Sequence, residues 1–267
     1  MDKNKTILIK GAGEKASAVA WGLFSQGFRR IIMTDIENPL AERRGVCFSE
    51  AAFEQGKEIE GIRVERSRHS MDSINSILSN GAIPLLVSPD YMLLQDIRPD
   101  IIVDGIMAKR NTGTFIEQAP LVIALGPGFC AGRDVHYVIE TNPNIPGLGT
   151  IIESGCAEEH TGIPTEVQGK SLERLLLSPG TGVLYAEKNI GDPVSKGDTI
   201  GYVGDKKLQS PIPGVVWGLI RTPANVKEGQ KLGDIHPGSN REICFKITPQ
   251  ANKITASVID AITRRYN

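Results

Sequence analysis

Gly11-Ala12-Gly13-Glu14-Lys15-Ala16 follows the β run Thr6-Ile7-Leu8-Ile9-Lys10 and has the form G-x-G-x-x-A. Glycines at the first and third positions permit a tight turn and let a phosphate approach the backbone. A small sixth residue lets the next helix pack on the strand. Ala16, Val19, Ala20, Leu23 and Phe24 recur at helical spacing, and Gly27 is placed to end that helix in a left-handed cap. A second β run, Arg30 to Thr34, delivers Asp35, an acid suited to a ribose hydroxyl. Arg43-Arg44 would instead meet an extra phosphate. The two signals conflict and leave the nucleotide's identity open.

Two further loops carry polar groups at strand ends. Asp104 to Thr114 follows the run Ile101-Ile102-Val103, and Gly126-Pro127-Gly128-Phe129 follows Leu121 to Leu125. In an open parallel sheet, ligands settle beyond the carboxyl ends of the strands, and both loops would open there beside Gly11 to Ala16. A Gly-Pro-Gly turn can aim successive N–H groups at an anion, Lys109 supplies a positive charge, and Asp104 serves as an acid or acceptor. The candidate ligand site is therefore Gly11, Gly13, Asp35, Asp104, Lys109, Gly126 and Gly128.

Catalytic chemistry is harder to place. His69, His136, His160 and His236 lack metal-ligand spacing; His136, close to Asp134, is the best proton-transfer candidate, against a reading as a satisfied structural residue. G-x-S-x-G, H-E-x-x-H and Walker lysine motifs are absent. No catalytic residue and no metal site is assigned. Cys47, Cys130, Cys156 and Cys244 are scattered without a C-x-x-C pair, which suggests small core residues rather than a disulfide framework or zinc site.

The elements that must hold these loops read as strands alternating with helices. Ile59 to Arg66 is expected as a strand, Met71 to Leu78 as a helix, and Pro84 to Val87, Ile101 to Asp104, Leu121 to Leu125 and Val135 to Thr141 as further strands. Such β-branched runs predict an α/β fold with a Rossmann-like, mostly parallel sheet over residues 1–168. Downstream, Ser178 to Val203 is repeated as Ser210 to Ile235, pairing Pro179/Pro211, Gly182/Gly214, Val194/Val226, Gly197/Gly229 and Gly201/Gly233. Two such units are similar to the small all-β barrel-sandwich hybrid of biotinyl and lipoyl carriers, expected over residues 169–247. Ile254, Val258 and Ile262 then predict a C-terminal helix over 248–267 packing on the body.

In those carriers a hairpin presents the modified lysine. Here Gly204 to Gln209 is short and lacks a Met-Lys-Met or Asp-Lys-Ala triplet, so Lys206 and Lys207 are expected to carry neither biotin nor lipoate. The 267 residues contain 30 Lys plus Arg against 31 Asp plus Glu, a net charge of -1 that gives no electrostatic case for nucleic acid or an anionic membrane. The start, MDKNKTILIKGAG, holds no apolar stretch of signal-peptide or membrane length, which points to the cytoplasm.

Longer segments carry a family resemblance. GAGEKASAVAWGL, MTDIENPLAERRGVCFSEA, VDGIMAKRNTGT, LVIALGPGFCAGRDVHYVIETN and the carrier-like tail together resemble the YqeB-type family of the selenium-dependent molybdenum hydroxylase system. The resemblance implies an accessory or maturation protein whose partners are a molybdenum hydroxylase or its maturation factors. It carries over no catalytic residue. Selenium handling would suggest a reactive thiol, yet Cys47 and Cys130 are flanked by apolar residues and are not expected as nucleophiles. A small nucleotide-like ligand suits the loops, with NAD(P) or a pterin or cytidine nucleotide as the candidates. An NAD(P)-dependent oxidoreductase and a non-catalytic scaffold are the alternatives.

Overall fold

The computed structural model describes residues 2–88 and 91–267, without the side chains of residues 91, 92 and 94. The chain divides into two compact units. The first comprises Met1–Pro39, Phe48–Thr161 and Ile247–Asn267, and the second Leu40–Cys47 and Gly162–Lys246.

In the first unit, β1 (Ile7–Lys10) alternates its apolar side chains between two faces of a sheet, as the period of two requires. Ile7 and Ile9 join the core on one face and Leu8 the core on the other. Helix α1 (Glu14–Ser25) follows and ends as its sequence predicts: Gly27 has φ +94°, and Phe28 N donates to Leu23 O at 3.1 Å, the cap bond of a left-handed helix end. The sheet continues with β2 (Ile31–Asp35), β3 (Gly56–Ile59), β4 (Ile62–Arg66), helix α2 (Met71–Ser79), β5 (Ile83–Val87), helix α3 (Tyr91–Ile97), β6 (Ile101–Asp104) and β7 (Leu121–Leu125). A small ribbon, β8 (Cys130–Ala131) with β11 (Gly155–Cys156), flanks β9 (Tyr137–Ile139) and β10 (Ile151–Ile152).

The nine strands lie in the order β10-β9-β7-β6-β1-β2-β5-β4-β3. The strands from β9 to β4 are parallel, while β10 and β3 run antiparallel at the two edges. One expected strand, Ile59 to Arg66, in fact covers the end of β3, a turn and the whole of β4 in an edge hairpin. Glu60 and Gly61 have φ +45° and +81°, both in the left-handed region that a two-residue turn with strand-matching twist requires.

The repeat builds the second unit. It contains β12 (Leu175–Leu177), β13 (Gly182–Ala186), β14 (Pro193–Val194), β15 (Thr199–Val203), β16 (Lys206–Gln209), β17 (Gly214–Leu219), β18 (Ala224–Val226) and β19 (Lys231–His236). They form two four-stranded sheets, β12-β19-β17-β14 and β16-β15-β13-β18. Each repeat sends one short strand to the other's sheet: β14 pairs with β17 and β18 with β13. Paired serines reproduce the same bonds. Ser178 Oγ donates to Gly180 O and Ser210 Oγ to Ile212 O, both at 2.7 Å, while Gly229 N and Gly197 N donate to Ser178 O and Ser210 O. Lys206 and Lys207 lie on the edge strand β16, and Lys206 Nζ donates to Pro179 O at 3.2 Å.

The expected pairing of a Rossmann-like, mostly parallel sheet with a barrel-sandwich hybrid is thereby corrected. The large sheet is mixed, with antiparallel strands at both edges, and the repeat forms separate antiparallel sheets. The physical reason lies in the connections. A doubly wound fold needs a helical crossover at each step, whereas the chain from β6 to β7 and from β7 to β9 runs as loops, a 3-10 turn and the β8 ribbon.

Helix α4 (Pro249–Tyr266) starts at Thr248, whose side chain accepts from Ala251 N, with proline in the first turn. Ile254, Val258 and Ile262 are fully buried and share a core with α1 and the sheet. At the crossing, Gly22 on α1 leaves no room for a side chain, because a Cβ there would overlap Thr255 Cγ2 on α4. Gly22→Val should therefore overpack this contact and cost about 1–3 kcal/mol of stability. Denaturant unfolding monitored by circular dichroism checks this, and an unchanged midpoint would contradict the packing described.

Candidate functional site

Asp104 ends β6 and is only 1% exposed, so its carboxylate needs partners. Thr114 Oγ1 donates to its Oδ2 at 2.6 Å and Ile106 N to its Oδ1 at 3.1 Å. Thr114 Oγ1 in turn accepts from Lys10 Nζ at 2.7 Å, and Gln118 Oε1 accepts from the same ammonium at 2.8 Å. Burial pushes the Lys10 ammonium below its ordinary value, opposed by the charge of Asp104. Asn111 closes the loop from inside: its Oδ1 accepts from Gly113 N and Thr114 N, and its Nδ2 donates to Thr114 O. The loop after β6 is thus tied at both ends to buried polar groups.

That clamp lets three loops meet. Gly11, at φ +88°, sits so close to the loop that a Cβ would lie 3.0 Å from Gly105 O. Gly128, at φ +97°, faces Arg110, whose backbone N would be 2.7 Å from an added Cβ. Both positions admit only glycine. Met107 and Lys109 also adopt positive φ, +60° and +62°, a conformation that non-glycine residues take when their surroundings impose it. Gly126 N donates to Ile139 O at 2.9 Å, anchoring the loop after β7 to β9.

Beside these loops lies a cleft of about 410 Å³ lined by Lys109, Gly128, Arg133, Glu159, His160 and the Cys130–Cys156 disulfide. Arg133 forms a bidentate pair with Asp134 at 2.9 Å for both bonds, and Asp134 Oδ2 accepts from Cys130 N at 2.8 Å. The Arg133 hydrogen bond holds the Asp134 carboxyl below the usual range. Burial and, secondarily, the charge of Lys109 lower the His160 imidazole.

Of the seven residues expected at the site, Gly11, Asp104, Lys109, Gly126 and Gly128 fall on the loops that meet, and Lys109 and Gly128 line the cleft. Asp104 is committed to holding its own loop. Asp35 turns back on the glycine turn: Ala12 N donates to its Oδ2 at 3.1 Å and Ile36 N to its Oδ1 at 2.8 Å, while burial raises its pKa. Gly13 caps α1 beside open space. Arg43 and Arg44 belong to the second unit, where Arg43 lies 4.0 Å over the Trp217 ring and Arg44 Nε donates to Leu219 O at 2.7 Å. His136 Nδ1 accepts from Val122 N at 3.0 Å, so the ring is tied to β7.

The cysteines divide. Cys47 and Cys244 are buried and outside the disulfide, as small core residues should be, whereas Cys130 and Cys156 are linked across β8 and β11. This corrects the expectation that the spacing suggests no disulfide. Arg133, Glu159, His160 and both linked cysteines were not among the residues expected at the site. Their one visible signal was that Cys130 and Arg133 lie shortly after the Gly-Pro-Gly turn; the partner cysteine, 26 residues on, has no motif to announce it. Among the described residues no group of three or more His, Cys, Asp or Glu is placed to hold a metal ion, and no helix is long and apolar enough to cross a membrane.

The chain is 37% identical over 259 residues to the uncharacterized protein YqeB of Escherichia coli strain K12, which covers 97% of this chain. This sequence is similar to YqeB along nearly all of its length. The match supports the YqeB-type resemblance, although the chain spans about half, 47%, of that relative's length. No family model matches. Among solved structures, a succinylglutamate desuccinylase/aspartoacylase from Rhodobacter sphaeroides overlaps 87% of this chain and 85% of its own at 15% identity and a TM-score of 0.28. The product-bound ectoine utilization protein EutE (DoeB) from Ruegeria pomeroyi overlaps the same shares at 15% identity and a TM-score of 0.27.

The clamp around Asp104 generates a direct test. Thr114→Val keeps the shape of the side chain but strips a buried carboxylate of a donor and a half-buried ammonium of an acceptor. It should cost about 1–3 kcal/mol in denaturant unfolding, and a loss below about half a kcal/mol would show that the network does not hold the loop.

Proposed function

We propose that this chain is an accessory protein that binds a small anionic, nucleotide-like ligand in the cleft beside the loops after β6 and β7. The observation that supports this most is the convergence on one cleft, at the carboxyl ends of parallel strands, of the Gly128 backbone with the side chains of Lys109, Arg133 and His160. Glu159 also lines the cleft and Arg133 is paired with Asp134, so Lys109 is the cation on which anion binding rests. A volume of about 410 Å³ suits a small molecule. The setting we propose with it, a selenium-dependent molybdenum hydroxylase system in the cytoplasm, rests on the sequence segments that resemble the YqeB-type family. The NAD(P)-dependent alternative gains nothing from the glycine turn, since both oxygens of Asp35 already accept backbone N–H groups and Ala12 N is spent on one of them.

Calorimetric titration with pyrophosphate, CTP and NAD tests the reading. Lys109→Met should weaken the best-bound of the three by at least tenfold, about 1.4 kcal/mol, with folding unchanged; equal affinity would remove the cleft from the site. A pH dependence follows from His160. Its lowered pKa keeps the ring neutral until the pH falls below the ordinary imidazole range, and protonation then adds a positive charge to the cleft. Anion affinity of the wild-type protein should therefore rise on acidification relative to His160→Gln, which cancels the probe's own titration, and a ratio constant with pH would contradict this role.

A further inference from the structure

The cleft contains a group that ligand binding does not use. Cys130 and Cys156 stand directly opposite each other on β8 and β11, and their disulfide forms part of the cleft wall. Cys156 is exposed and Cys130 half-buried, so one sulfur is open to attack and the other is placed to leave. Lys109, Arg133 and His160 line the same space. The charge on Lys109 stabilises a departing thiolate and attracts an incoming one, while Arg133 is held by the Asp134 carboxylate. The ribbon itself is small. It holds two residue pairs, Gly155 with Ala131 and Cys156 with Cys130, with Glu158 N donating to Glu140 Oε2 at 2.9 Å just beyond. The disulfide thus holds in place the segment that carries Glu159 and His160.

We propose that Cys130–Cys156 is a thiol–disulfide exchange site whose substrates are small thiols bearing an additional negative charge. This rests on the reading of the cleft as an anion site. In the first step a thiolate, RS⁻, attacks Sγ of Cys156; the RS–Sγ bond forms, the Cys130–Cys156 bond breaks, and the electron pair leaves on Sγ of Cys130, which takes a proton from solvent. A second RS⁻ attacks the sulfur of the bound RS group, forming RS–SR and releasing the Cys156 thiolate, which is also protonated. Two thiols are oxidised to one disulfide, and the protein disulfide is reduced to a dithiol by two electrons and two protons. The reverse reaction oxidises the dithiol with RS–SR. Reduction leaves β11 held to β8 by backbone pairing alone and loosens the wall that holds His160, so the redox state of the pair also affects the shape of the anion cleft.

The test uses the full chain, isolated with the disulfide intact. Its reduction is followed by mass spectrometry after alkylation, with 2-mercaptoethanesulfonate and neutral 2-mercaptoethanol compared per thiolate. The sulfonate should react at least tenfold faster, the advantage should shrink with added salt, and Lys109→Met should remove most of it. Cys130→Ser, incubated with the sulfonate's disulfide, should accumulate a mixed disulfide at Cys156. A disulfide that resists both thiols, or equal rates for the two, overturns the proposal. Pyrophosphate titration of the same oxidised protein separates the two claims: anion binding without selective reduction sinks the exchange site alone, and absence of both sinks the reading on which it rests.

Discussion

A carboxylate at the end of a buried strand has to be satisfied where it stands, and Asp104 is the point on which the candidate site depends. The low-dielectric surroundings that make an unpaired carboxylate costly also make its hydrogen bonds strong. Thr114 is the shared member, donating to Asp104 and accepting from Lys10, so the strand end, the far side of the loop and β1 become one polar unit. Everything between residues 104 and 114 must then fold within fixed ends. Met107 and Lys109 pay for that restriction with left-handed backbone, and Gly11 and Gly128 accommodate it by lacking side chains. Lys109 consequently reaches the cleft from a loop whose two ends are hydrogen-bonded in place.

The large sheet supplies the rest of the geometry. Its parallel central strands deliver β6 and β7 side by side, in register from Ile101 with Leu121 to Asp104 with Ala124, so the loops after them leave the sheet as neighbours. The ribbon of β8 and β11 then brings a distant part of the chain, Gly155–Cys156, against the end of the loop after β7. Lys109, Arg133 and His160 come from three separate segments. Only the sheet order and the ribbon put them around one space.

Much of the local structure was legible in the residues, because it depends on neighbours in sequence. The β runs at Ile7–Lys10 and Leu121–Leu125, the helix with its Gly27 cap, and the final helix carrying Ile254, Val258 and Ile262 follow from periodicity and glycine placement. The duplicated Ser178 and Ser210 turns are likewise visible, since identical short-range bonds leave identical residues. What stayed hidden depends on long-range pairing. The antiparallel edges that make the sheet mixed rest on a two-residue turn at Glu60-Gly61 and on contacts of strands two or three residues long. Asp35 and Arg43 kept the residue types of a nucleotide site, but the first is drawn back to Ala12 and the second onto Trp217. The Cys130–Cys156 bond has no spacing rule to reveal it.

The central claim is that ligand chemistry belongs to the cleft and not to the G-x-G-x-x-A turn. Amide chemical-shift mapping of the isotopically labelled protein with inorganic pyrophosphate tests this most directly, because it reports both places in one titration. The account predicts saturable shifts at Lys109, Gly128, Phe129 and His160, with Gly13, Glu14 and Lys15 unmoved. Shifts centred on Gly13 to Lys15, with the cleft silent, would contradict it.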